Sequence, residues 1–285
     1  LRSLGFRATG RGGHSAARRA QRGGNMNAAE LARRLDAVAP LARDAAALAA
    51  RMRANGMAET KMKGAQDFLT EADGATEAFL REKLERLFPG EPILGEEGGG
   101  AAPETGPLWI LDPIDGTSPF SRGGDRWCVS IGLAHDSRAV LGAVARHATG
   151  EVILGARGCG ATLNGAPVRA APTTDFARAT IEIGWSLRRP PADFIALVER
   201  VMAQGAGMRS SGSGTLGLVD TALGRLDAYI ELHINSWDAC GALAIAREAG
   251  CWTNDFDSGA WLTEGNPICF AAPALGARLA ALMQG

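Results

Sequence analysis

The sequence predicts a mixed α and β protein, α+β in its first half and α/β in its second. Three observations carry this. Leu31, Leu35, Val38 and Leu41, and then Phe79, Leu80, Leu84 and Leu87, recur at helical spacing. Short apolar runs closed by turn residues follow one another from Ile93 to Gly165, like a meander. From about Thr173 strand-like and helix-like segments alternate. The 285 residues suffice for one large domain or two subdomains. We divide them into an N-terminal extension (1–25), an α+β subdomain (26–172) and an α/β subdomain (173–285).

Taken in order, residues 1–25 hold Arg2, Arg7, Arg11, Arg18, Arg19 and Arg22, no acid, and many Gly, Ala and Ser. They lack the apolar core of a secretory signal. Nothing in them can bury a core, so they are expected to be a disordered extension that folding and activity do not need. The segment from Ala28 to Asn55 reads as an amphipathic helix, bent at Pro40. Lys61 to Asp73 reads as a loop or short strand leading into a second helix that stops at Phe88-Pro89-Gly90. Ile93-Leu94-Gly95 is a short strand ending in Glu96-Glu97 and three glycines. Trp127, Val129, Ile131 and Leu133 alternate, which marks a strand. Val140–Ala145 and Glu151–Leu154 are its expected neighbours, and Asn164-Gly165 is a hairpin turn. Thr180–Gly184, Asp227–Glu231 and Ile268–Ala272 read as strands. Helices are expected over Pro191–Gln204, from Gly214 to Leu223, from Trp237 to Ala249, and at the C-terminus.

Composition narrows the function classes. The hydrophobic share of 46% is that of a folded protein, and the net charge of −1 implies no nucleic-acid partner. The apolar runs break well before 18 residues, so no membrane span is expected. Cys128, Cys159, Cys240, Cys251 and Cys269 form no CxxC pair, which fits reduced thiols in a cytoplasmic protein.

The chemistry concentrates in Leu108-Trp109-Ile110-Leu111-Asp112-Pro113-Ile114-Asp115-Gly116-Thr117. The apolar run reads as a buried strand, and Pro113 and Gly116 are expected to end it. Acids at a buried strand end are costly unless they are paired or hold a metal. Two of them, flanking a backbone carbonyl, can face one cation. Gly116 lets a ligand approach the backbone, and its N–H and that of Thr117 can face an anion. Each piece has a plainer reading as well. Asp112 and Asp115 serve equally as a cap and a turn former, Glu96-Glu97 as a solvated turn, and Asp238 as a first-turn acid on a helix dipole.

Together the pieces resemble a known family. Gly95-Glu96-Glu97, Trp109–Thr117 and Trp237-Asp238-Ala239-Cys240-Gly241-Ala242 are similar, in order, to the three signature segments of the inositol monophosphatase family. Thr70-Glu71-Ala72-Asp73, Gly158–Ala161 with Asn164-Gly165, and Arg209-Ser210-Ser211-Gly212 match further segments, so the resemblance runs from about Met26 to the C-terminus. It implies a layered α-β-α-β-α sandwich of the inositol monophosphatase/fructose-1,6-bisphosphatase type, and a homodimer. It also implies a Mg²⁺-dependent, lithium-sensitive phosphomonoesterase holding two or three Mg²⁺, with inositol 1-phosphate as the expected substrate. By position, Glu96, Asp112, Asp115 and the Ile114 carbonyl would bind the metals. Asp238 would bind a second metal, and Glu97 would be an outer or third-metal carboxylate. Gly116 and Thr117 would hold the phosphate, and Asp73 would partner Thr117. Gly214 belongs to the loop that walls the substrate pocket. Glu231, seven residues before Asp238, would accept bonds from hydroxyls of a small phosphorylated polyol.

Two departures bear on the pocket. Pro119 stands where the family often has Asn, and Trp185 where it often has a small polar residue. Histidinol phosphate, nucleotide 3′-phosphates and sugar bisphosphates are competing substrates, and a non-catalytic regulatory protein on the same fold is the rival from another class. Gly212-Ser213-Gly214-Thr215-Leu216-Gly217 also fits a dinucleotide-binding G-x-G-x-x-G. That motif needs a strand directly before it, and Gly205–Arg209 is too polar and glycine-rich to be expected as one.

Overall fold

The structure, a computed structural model, describes residues 26–57, 61–64 and 67–284. The expectation for residues 1–25 lies outside them. Helix α1 (Ala28–Ala54) is capped by the Asn27 side chain, which accepts from the Glu30 N–H at 2.9 Å, and it continues through Pro40. Strands β1 (Lys61–Gly64) and β2 (Asp67–Leu69) pair antiparallel ahead of α2 (Glu71–Leu87). Of the face expected for α2, Leu80 and Leu84 are buried, whereas Leu87 is exposed in the last turn.

Seven strands then form one sheet in the order β3 to β9. They are β3 (Ile93–Gly95), β4 (Pro107–Asp115), β5 (Cys128–His135), β6 (Arg138–Arg146), β7 (Glu151–Ala156), β8 (Gly160–Leu163) and β9 (Ala166–Pro167). Asn164 and Gly165, at φ 48° and 85°, make the expected turn between β8 and β9. One expectation is corrected here. Strand β4 does not stop before Pro113 but runs on to Asp115. The ladder to β5 is irregular between Asp112 and Asp115, and a proline is tolerated at such a break. All eight residues of strand β5 are buried. Val129, Ile131 and Leu133 face α1, while Cys128, Ser130, Gly132 and Ala134 face a second helix layer, where only small side chains fit.

The second sheet has the order β11-β10-β12-β14-β13, from β10 (Thr180–Ile183), β11 (Gly207–Arg209), β12 (Ala228–Ile234), β13 (Trp252–Thr253) and β14 (Asn266–Ala271). The pairs β10–β11 and β10–β12 are parallel, and β14 runs antiparallel to both its neighbours. Between the sheets lie α5 (Gly214–Ala222) and α6 (Ser236–Glu248). Helix α4 (Pro191–Met202) and the C-terminal helix Gly276–Gln284 cover the outer face. The layers are therefore α-β-α-β-α, with one apolar core at each of the outer helix–sheet interfaces and a third between the sheets. Among the described residues no helix is long and apolar enough to cross a membrane.

Helix α6 sits unusually deep. Gly132, Gly142 and Gly155 lie side by side in register across β5, β6 and β7. A Cβ on Gly142 would fall 1.9 Å from the Gly241 carbonyl oxygen, and one on Gly132 would fall 2.7 Å from Cys240 Sγ. At the far end of α6, Arg247 donates two 2.7 Å bonds to buried Asp257, which also accepts from the Ala139 N–H and from Arg138. Burial works to raise the Asp257 pKa, but the Arg247 bonds outweigh it and hold the group below the usual range. Asp257→Ala is expected to cost about 2–3 kcal/mol, since it strands part-buried Arg247 and a buried N–H. A depressed pKa contributes stability above the unfolded value, and that stability is lost as pH falls through the folded one. Thermal melts should therefore show the variant several degrees below wild type at pH 7, with the gap closing below about pH 4. An unchanged melt at pH 7 would discount the link.

Candidate active site

The end of β4 and the first turn of α6 bring Asp112, Asp115 and Asp238 together. One ligand oxygen from each lies within 4.8 Å of the others. Asp112 is fully buried. Its Oδ1 accepts from the Ile114 N–H at 3.0 Å, and its Oδ2 has no hydrogen-bond partner. Asp115 Oδ2 accepts from the Thr215 N–H at 2.8 Å and from the Ser213 hydroxyl, at the N-terminus of α5. Asp238 is the N3 residue of α6 and accepts from the Asn235 N–H at 3.3 Å. Thr215 also donates to the Asp238 carbonyl, which ties α5 to α6 beside the acids. Burial, then the charges of Glu96, Asp115 and Asp238, push Asp112 well above the carboxylate range. Burial and Asp115 push Asp238 up to about 7. An all-oxygen set with an orphaned buried carboxylate oxygen fits a hard divalent cation, which would remove the repulsion.

The sequence-predicted Glu96 lies outside this tightest group but next to it. Its N–H bonds the Leu111 carbonyl at 3.1 Å, and its charge acts on Asp112. The turn carrying Glu96 and Glu97 is held by a residue that sequence reasoning missed. Buried Glu77 accepts from the N–H groups of Glu97 and Gly98, both at 2.8 Å, and from Arg81 at 2.7 Å. A Cβ on Gly95 would come within 2.4 Å of the Glu77 carboxylate, so that glycine admits it. The signal was present, since Asp73, Glu77, Leu80 and Leu84 share one face of α2.

Asp73 and Thr117 do meet. Thr117 Oγ1 lies 3.2 Å from Asp73 Oδ1 and 3.0 Å from the Ile114 carbonyl oxygen. Asp73 is held by a capping box with Thr70, whose N–H donates at 2.8 Å, and burial raises its pKa. Gly116 adopts φ 90°, and a Cβ there would lie 2.5 Å from the Arg126 carbonyl oxygen. This left-handed residue opens α3 (Thr117–Ser121). Pro119 sits in the first turn of α3, where its missing N–H would have had no helical partner, so the departure costs little.

Beside the acids lies a cavity of about 270 Å³ lined by Glu182, Gly184, Trp185, Gly214, Tyr229, Glu231 and Asp238, among others. Glu231 is buried and receives a 2.6 Å bond from the Tyr229 hydroxyl. Burial raises its pKa to about 8, against the lowering effect of that bond. Trp185 is half-exposed at the rim, 6.3 Å from Phe194.

The reason given above against a dinucleotide site is corrected. A short strand, β11, does precede the loop, polar because it is an edge strand whose Arg209 pairs with Glu182 at 2.8 Å. What argues against a bound pyrophosphate is different. The N-terminus of α5 already carries the Asp115 carboxylate.

Two sheets and three helix layers thus hold a buried carboxylate group beside a Thr–Asp pair. Comparison with known proteins agrees. Residues 31–285 match the inositol monophosphatase family. A Nus factor SuhB from Vibrio cholerae is 31% identical over 220 residues, covering 75% of this chain and 82% of that protein. An inositol-1-monophosphatase from Rhizobium meliloti is 33% identical over 215 residues, covering 74% and 81%. The structure of an inositol monophosphatase from Anabaena matches with a TM-score of 0.77 at 28% identity, covering 89% of this chain and 96% of that one. The chain belongs to the inositol monophosphatase family.

Proposed function

We propose that this chain is a Mg²⁺-dependent phosphomonoesterase acting on a small phosphorylated polyol of the myo-inositol 1-phosphate type. The observation that carries the proposal is the buried, unpartnered Asp112 Oδ2 within a group of three carboxylates. Glu96, Asp112, Asp115, Asp238 and the Ile114 carbonyl would hold the ions, with Glu97 at their outer edge. Bound there, Mg²⁺ supplies positive charge that acidifies water and neutralises phosphoryl oxygens.

The protein's own part is position. The N–H groups of Gly116 and Thr117 donate to the phosphate at the start of α3. The Thr117 hydroxyl faces two acceptors with one proton. Were the Ile114 carbonyl to hold an ion, that proton would be left to Asp73, and the Thr117 oxygen would be free to accept a bond from the attacking water. Glu96, whose charge acts on Asp112, is assigned the part of helping to orient that water for in-line attack. The leaving group enters the cavity beside Gly214, where Glu231 meets its hydroxyls.

The test is phosphate release from a panel of monoesters at equal concentration, with Mg²⁺ and with EDTA. Inositol 1-phosphate, histidinol phosphate, a nucleotide 3′-phosphate and p-nitrophenyl phosphate belong in the panel. Release that needs Mg²⁺ and favours the polyol is expected. No release from any ester would overturn the enzyme reading in favour of a regulatory binding protein, a role to which the Vibrio cholerae relative's name points. Release that favours histidinol phosphate or the nucleotide would keep the chemistry and replace the substrate.

A further inference from the structure

The residues that face the leaving group are not all accounted for by the metal site. Glu182 on β10 and Tyr229 on β12 are register partners, and Tyr229 and Glu231 are two apart on one strand. All three therefore point to the same side of the sheet, into the cavity. Tyr229 is 2% exposed and lies among glycines. A Cβ on Gly217 would lie 2.3 Å from the Tyr229 ring, and one on Gly184 would lie 2.2 Å from its hydroxyl and 2.3 Å from Glu231 Oε2. Any other residue at either position would collide with this phenol.

The hydroxyl does more than fill space. It donates to Glu231 Oε2, and among the described residues it is the hydrogen-bond partner of that carboxyl. Glu182, by contrast, is already engaged by Arg209 and Ser211. Having given its proton to Glu231, the Tyr229 oxygen can only accept from anything else in the cavity. The same holds for an ionised Glu231.

We propose that Tyr229 is a positioning residue that aims Glu231 and makes the cavity floor an acceptor surface, selecting esters whose leaving alcohol carries further hydrogen-bond donors. The proposal rests on the phosphomonoesterase reading above. Burial keeps the Tyr229 phenol protonated, so it remains a donor throughout the working range. Its bond also favours the ionised form of Glu231 against burial and against the charges of Asp238 and Asp115.

The experiment uses the full chain with Mg²⁺ and compares kcat/KM for myo-inositol 1-phosphate and glycerol 2-phosphate with that for p-nitrophenyl phosphate. It is run in wild type, Tyr229→Phe, Glu231→Gln and the double variant. Tyr229→Phe keeps the ring, so packing is preserved. It is expected to lower the ratio of hydroxyl-bearing to p-nitrophenyl ester about ten- to a hundred-fold, as the loss of one charged hydrogen bond would. The double variant should fall no further than Glu231→Gln, because the two act through one contact. The pH at which the ratio rises should move upward in Tyr229→Phe. A ratio that Glu231→Gln lowers and Tyr229→Phe leaves intact overturns the proposal while the polyol reading stands. Equal losses on all esters, with a lowered Tm, overturn it in favour of simple packing. If wild type itself shows no preference for hydroxyl-bearing esters, the polyol reading falls and this proposal with it.

Discussion

Asp112→Asn is expected to cut Mg²⁺-dependent phosphate release by roughly two to three orders of magnitude, the scale of losing one aligned electrostatic group. The change is nearly isosteric. The amide oxygen can still accept the Ile114 N–H, but the charge at the orphaned Oδ2 is gone, and an NH₂ cannot bind a cation. The fold should survive, and stability gives a second readout. Carboxylates whose pKa is raised in the folded state bind protons more tightly there than in the unfolded chain. Stability without metal therefore falls as pH rises from about 4, the unfolded value, through the folded values. Asp238, pushed up to about 7, places most of that fall below pH 8. In EDTA, wild type should melt higher at pH 5 than at pH 8, and Asp112→Asn should show a shallower drop because one of the repelling charges is gone. Added Mg²⁺ should raise the Tm of wild type and not of the variant. Retained Mg²⁺-dependent turnover in Asp112→Asn would sink the site assignment.

Thr117→Ala should lower kcat about a hundred-fold and KM far less. Its hydroxyl lies between Asp73 and the Ile114 carbonyl, where it can pass its proton to one and offer lone pairs to water. A contact of that kind matters mainly in the transition state, and proton-handling groups are worth on the order of 10²–10⁴. Thr117→Ser, which keeps the hydroxyl, should restore most of the rate. If steady-state kinetics instead show a raised KM with kcat intact, Thr117 is a phosphate binder and no more.

The parts of this site that could be read in the sequence are those whose geometry is local. Asp112 and Asp115 share a strand end, Asp73 closes a four-residue capping box, and Asp238 follows its own cap by three positions. Helices and central strands were legible for the same reason, since periodicity is a property of neighbours. What escaped was held by distant contacts. The bonds that fix Asp115 come from Ser213 and Thr215, 98 and 100 positions away. Glu77 looks like a helix-surface acid until the Glu97 turn is folded against it. Strand β11 carries no apolar pattern because an edge strand can leave its side chains exposed, and Tyr229 gives no sign of its proton's destination until β12 is extended. Pro113 misled because the irregular ladder that tolerates it depends on β5.

The row formed by Gly132, Gly142 and Gly155 has a consequence for how such a protein is dissected. At Gly142 the height of α6 above the sheet is measured backbone to backbone, against Gly241, with no side chain between to take up an error. The gap between Asp238 on that helix and Asp112 on β4 is thus encoded by atoms that are missing. Alanine scanning looks for function by deletion, yet at these three positions alanine is an insertion, a methyl group wedged under the helix that carries a ligand. A chain could keep every acid named above, lose its spacing through one such methyl, and look intact to any survey that counts only the acids.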